Sequence, residues 1–187
     1  MGIVITTIDT SDKADGNQSV CAKSSSMVGI LAAGNIFTGQ FAGLVGTSGG
    51  KVNFGRPWTT RPTALKLWCK YSTGKMNIIK NFPEGVSLTS SDYDRAEIKF
   101  AIGTWNYKTY GGTKDSPVHV NTTDASTFVD YTTDASTVAY GNLVIYNDGY
   151  SVNAGEKVSA TTSGWLEYVI PLDFHDLKTW PTHIVVS

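Results

Sequence analysis

Asn53-Phe-Gly-Arg-Pro-Trp-Thr-Thr-Arg-Pro-Thr-Ala-Leu-Lys-Leu-Trp-Cys-Lys-Tyr71 joins a proline-bearing loop to a segment that alternates residue by residue. From Ala64 to Tyr71, Leu65, Leu67, Cys69 and Tyr71 fall on one side, and Lys66, Trp68 and Lys70 on the other. That period of two is a strand with one apolar face. Upstream, Arg56 and Arg61 each precede a proline, which turns them away from helical angles, and Pro57 and Pro62 fix their own φ. A stiff loop carrying forked donors and the flat ring of Trp58 suits recognition of a polyhydroxylated ligand. It equally suits a structural turn whose arginines bind buried carbonyls.

The same alternation recurs outward from this stretch. Ala96, Ile98, Phe100 and Ile102 oppose Glu97, Lys99 and Ala101, and Leu166, Tyr168, Ile170 and Leu172 oppose Trp165, Glu167 and Val169. Weaker strands are expected near Val118–Val120, Val138–Tyr146 and Ile184–Val186, while residues 6–26 read as a polar, irregular leading segment. No stretch carries a sustained helical stripe. Many short strands between turn signals predict an all-β domain, a sandwich of two antiparallel sheets, over residues 27–187. Thr122–Thr127 repeats as Thr132–Thr137. Two copies ten residues apart are too few for a solenoid and predict two similar turns.

Blocks spread along the chain carry a family resemblance: Asn53–Pro57, Arg61–Lys66 and Tyr71; Gly34–Gly39; Ile102–Trp105; Ala139–Leu143; Ile170–Phe174; and Trp180–Val186. In this order they resemble the "putative carbohydrate metabolism domain" of Bacteroidetes. The resemblance implies jelly-roll topology, similarity to the carbohydrate-binding modules found beside glycoside hydrolases, and export to the periplasm or outer cell surface. It also implies an immunoglobulin-like domain before this one and a further strand after Ser187. The expectation is therefore a piece of a longer chain that lacks the last strand of one sheet. A fold hosts many functions, so the activity has to be argued from the site.

Composition narrows the classes. Fifteen basic and 16 acidic groups give a net charge of −1 with no basic stripe, so nucleic acid and anionic membrane are poor partners. No run approaches a membrane span, and the apolar start Gly2–Ile5 is too short for a signal segment. Cys21 and Cys69 read as two small hydrophobes or, in an oxidising compartment, as a bridge. A monomer is expected.

The chemistry-bearing candidates are mostly aromatic. Trp68 interrupts an otherwise charged strand face, and a pyranose has an apolar C–H face that packs on such a ring. Trp105 and Tyr107 follow a strand end at Gly103, with Tyr110 before Gly111, whereas Trp165 and Trp180 read as structural. The expected ligand is an oligo- or polysaccharide held by Arg56, Trp58, Arg61, Trp68, Trp105 and Tyr107, with the guanidiniums suited also to a uronic-acid carboxylate. A structural or adhesive role needs none of these. The rival reading is a glycoside hydrolase, which requires a carboxylate pair facing one cleft. Asp92, Asp94 and Glu97 are the nearest cluster, loosely like the Glu-x-Asp-x-x-Glu signature of jelly-roll endoglucanases but with aspartate at its first position. Asp94 and Glu97 would be its catalytic pair, and of the other glutamates, Glu84, Glu156 and Glu167, the last two have no evident acid or base partner. His119, His175 and His183 have no metal-ligand spacing. The one cofactor considered is a structural calcium ion on Asp124, Asp134 or Asp173, without a calcium-loop pattern.

Overall fold

The computed structural model describes residues 5–27, 30–79, 88–145, 150–151, 157–158 and 164–187. Glu84, Tyr146 and Glu156 lie outside the described residues, as do residues 2–4 of the apolar start. The strands are β1 (Thr6–Asp9), β2 (Ser19–Ala22), β3 (Ser25–Met27), β4 (Ile30–Ala32), β5 (Gly39–Val45), β6 (Gly49–Phe54), β7 (Arg56–Pro57) and β8 (Ala64–Cys69). They continue with β9 (Ala96–Gly103), β10 (Val118–Asn121), β11 (Thr137–Ile145), β12 (Tyr150–Ser151), β13 (Lys157–Val158), β14 (Leu166–Pro171), β15 (Asp173–Phe174) and β16 (His183–Val186). A single α-helical turn, α1 (Tyr107–Tyr110), lies between β9 and β10. The protein is an all-β sandwich.

The chain divides into two compact units interleaved in sequence. The second unit, residues 36–65, 99–142 and 169–187, holds the sandwich. One sheet has the order β10-β6-β5 and the other β15-β11-β9-β16-β7. β6 pairs antiparallel with β5 and β10, and β16 pairs antiparallel with β9 and β7. Val52, Val118 and Val120 of the first sheet pack with Ala101, Tyr140 and Val185 of the second, joined by Trp105 and Tyr131. Phe100, Ile102 and Ala139 point to the other side of the larger sheet, flanked there by Phe174 and Ile184 of the same sheet and packed with Leu172 and partly buried Leu65. Phe100-Ala101-Ile102 is thus an unbroken apolar run because both its faces are buried.

Gly55 transfers the chain from one sheet to the other. Its φ of 111° is open to glycine alone at little cost, and a Cβ there would stand 2.9 Å from Cδ of Pro117. The crossing sets β7 beside β16, with Arg56 opposite Ile184 and Pro57 opposite His183. Pro57 is tolerated there because β7 is an edge strand.

The first unit comprises residues 1–35, 66–98 and 143–168. Residues 6–26, expected to be irregular, instead contribute β1 and β2, paired antiparallel from Thr6↔Ala22 to Asp9↔Ser19. Thr, Ile and Val favour extended backbone, and Asp9 closes the turn by accepting from Ser11 N, Ser11 Oγ and Asp12 N. Those three donors hold the Asp9 carboxyl down at about 2. β8 pairs with β14. Their apolar rows face inward as the alternation predicts: Tyr168 is buried and Leu67 and Cys69 are half-buried, while Lys66, Trp68 and Glu167 are exposed. Cys21 and Cys69 are free thiols, the latter raised in pKa by burial.

Candidate functional site

The open face of the first unit carries Trp68. Its side chain is 45% exposed between Lys66 and Lys70, as strand alternation requires. The neighbouring row, Trp165 and Glu167, lies on the same face, because Lys66 Nζ is 2.7 Å from Glu167 Oε2 and Lys70 Nζ stands 5.7 Å over the Trp165 ring. Lys70 also pairs with Asp12 Oδ2, while the Trp165 indole donates to Asp12 Oδ1 at 2.8 Å. Asp12 therefore ties the β1–β2 turn to the tryptophan face, and donation by Lys70 and Trp165 lowers its pKa. The result is an aromatic surface bordered by two ion pairs. Trp165, read from sequence as structural, belongs to this face. Asp12 gave no sequence signal, being 58 residues from its lysine.

The two proline-preceded arginines take the structural alternative of the sequence reading. Arg56 donates from Nη2 to Gly39 O at 2.8 Å. Arg61 donates to Thr179 O at 2.5 Å and Asp176 O at 2.8 Å, with its guanidinium 4.8 Å from the Phe174 ring centre. A guanidinium fork matches two carbonyls of one loop well, so Arg61 fastens residues 176–179. Arg61→Lys keeps the charge and loses the fork. It should lower stability by about 1–3 kcal/mol in thermal unfolding and leave saccharide affinity unchanged; an unaltered melting temperature with lost binding would return the arginine to the site.

Asp176 reinforces the same loop by accepting from Lys178 N and Thr179 N at 2.7 and 3.0 Å. Donors around the carboxylate hold its pKa at about 2. A depressed carboxylate stabilises the fold fully above its ordinary value of 3.8 and loses that contribution as pH falls through about 2. Carboxyl NMR should give Asp176 a midpoint near 2; a midpoint at 3.8 would mean the turn is not held this way.

Trp58 is 38% exposed, with its indole turned onto Thr60 O at 3.0 Å and its amide on Thr182 O at 2.9 Å. Trp180, expected to be structural, is 65% exposed, and the adjoining Pro181 is what the core takes up. Trp105 corrects the sequence reading most clearly. It is 2% exposed, donates its indole N–H to Asp134 Oδ1 at 3.1 Å, and meets Tyr131 edge-on at 5.4 Å. An indole in that position packs the core and offers no stacking surface. Two residues on, Tyr107 is 40% exposed at the start of α1, which is capped by Asn106 and by Gly111 in the left-handed conformation.

Two of the three carboxylate candidates are engaged in local turns. Asp92 accepts from Thr89 N and Oγ1 at 2.7 and 2.9 Å, and Asp94 from Arg95 N at 2.8 Å. Glu97 is exposed on β9. The repeated hexapeptide does form two like turns: Asp124 accepts from Ser126 N and Asp134 from Ser136 N, both at 3.1 Å. The second copy also accepts from Tyr110 Oη at 2.7 Å as well as from Trp105. A carboxylate already facing N–H and O–H donors is poorly disposed to a cation. Among the described residues no group of three His, Cys, Asp or Glu could hold a metal ion. Of the carboxylates considered for calcium, Asp124 and Asp134 thus serve these turns and Asp173 is exposed on β15.

Among the described residues no helix is long and apolar enough to cross a membrane. No curated protein and no solved structure matches the chain. Residues 3–183 match the profile of a family described as "Putative carbohydrate metabolism domain". That match spans nearly the whole sequence, and the chain belongs to this carbohydrate-related family.

Proposed function

We propose that the protein is a glycan-binding module acting in polysaccharide capture outside the cytoplasm, with the Trp68 face of the first unit as its platform. The observation that carries this reading is an indole 45% exposed on a regular strand, bordered by the Lys66–Glu167 and Lys70–Asp12 pairs. Such a surface joins the two chemistries a sugar needs. The ring takes the apolar C–H face, and fixed charged groups at its margin exchange hydrogen bonds with hydroxyls. Strand-mounted side chains keep their positions better than loop-mounted ones, so little ordering accompanies binding. The family's carbohydrate description supports the same substrate class.

Binding through one such face is modest, because hydroxyls exchange water partners for protein partners at small net gain. Tryptophan fluorescence titrated with an oligosaccharide panel tests the proposal. A saturable change with a dissociation constant of about micromolar to millimolar is expected. No response to any glycan, by fluorescence and by calorimetry, would reject it.

A further inference from the structure

Resting on that reading, we propose that the Trp68 platform takes neutral, hydroxyl-rich glycan segments and discriminates against uronate-bearing or sulfated ones. Charge on this face is balanced pair by pair. Lys66 is held by Glu167 at 2.7 Å, and Lys70 is held by Asp12. Asp9 adds a further carboxylate within the electrostatic reach of Lys70 and Asp12. Each ammonium on this face thus already has its counter-ion, with the Asp9 carboxylate behind one of the pairs in the β1–β2 turn. An anionic sugar arriving here must displace a carboxylate or add another negative charge beside it. A neutral sugar does neither.

The donor and acceptor inventory points the same way. The carboxylates at the margin accept hydrogen bonds and donate none when ionised. Asp12 is kept ionised by Lys70 and the Trp165 N–H, one on each oxygen. Sugar hydroxyls supply O–H donors to such groups, whereas a uronate replaces one hydroxymethyl by a second acceptor-only group. The arginines of the second unit, which sequence alone offered as uronate ligands, donate to main-chain carbonyls.

The test compares a neutral gluco-oligosaccharide with an oligogalacturonate of equal length, titrated at fixed ionic strength into wild type, Trp68→Ala and Glu167→Gln. Wild type should bind the neutral ligand about five- to tenfold more tightly, the size expected for one unscreened like-charge contact at the surface. Glu167→Gln, which frees Lys66, should move the acidic-to-neutral affinity ratio toward the acidic ligand by a similar factor. Tighter wild-type binding of the oligogalacturonate, abolished in Trp68→Ala, would overturn the charge argument and leave the platform standing. Binding of neither ligand would overturn both.

Discussion

Replacing Trp68 by alanine should weaken oligosaccharide binding about fiftyfold or more at only a moderate cost in melting temperature. The two halves of that expectation come from one fact, the 45% exposure of the indole. An aromatic side chain has roughly 150–250 Å² to bury, so close to half of it leaves about 100 Å² for a ligand to cover. At about 25 cal/mol per Å² that area is worth roughly 2.5 kcal/mol, close to two orders of magnitude in affinity. Truncation also gives up the half or more of the side chain that the protein already covers, so a stability cost of about 1–3 kcal/mol is expected beside the loss of binding. Calorimetry and thermal unfolding of one preparation read both quantities. A fall in melting temperature as large as that of the enclosed Trp105 would show Trp68 to be core, and unchanged affinity would place the sugar elsewhere.

Trp105→Ala should behave in the opposite way. The indole is fully enclosed by Tyr131 and its neighbours and bonded to Asp134, so its loss leaves a cavity and takes one of three donors from the Asp134 carboxylate. A cost of about 3–5 kcal/mol is expected, or roughly 10 °C in melting temperature. Saccharide affinity, measured at a temperature where the variant is still folded, should not change. Gly103 supplies an independent check of the same packing. A Cβ there would stand 2.6 Å from Cζ2 of Trp105 and 2.5 Å from the Ser136 carbonyl, so even Gly103→Ala should be strongly destabilising. Equal stability of Gly103→Ala and wild type would mean the indole is not seated here.

Trp68 and Trp105 show what sequence could and could not distinguish. Trp68 was legible because its neighbours alternate: Leu65, Leu67 and Cys69 assign the inward face, so the tryptophan between two lysines faces out. Trp105 follows a strand end, where alternation lapses, and its direction is set by Asp134, 29 residues away. The same limit hid Asp12 from Lys70 and the carbonyls of Asp176 and Thr179 from Arg61, 115 and 118 residues apart. Contacts of that range have no local signature. β9, β10, β14 and β16 carry β-branched, aromatic or alternating residues and were readable. β5 and β6 were not, because Gly39, Gly43, Gly49 and Gly50 dilute their pattern. Gly39 is required by close approach, since a Cβ there would lie 2.2 Å from the Asn53 carbonyl.

The five indole N–H resonances in a proton–nitrogen correlation spectrum test the platform most directly, since the chain has only five tryptophans. On addition of a neutral oligosaccharide, the account predicts progressive shifts at Trp68 and Trp165, with Trp105 unmoved and Trp58 and Trp180 little affected. Shifts confined to Trp58 and Trp180, with Trp68 still, would contradict it.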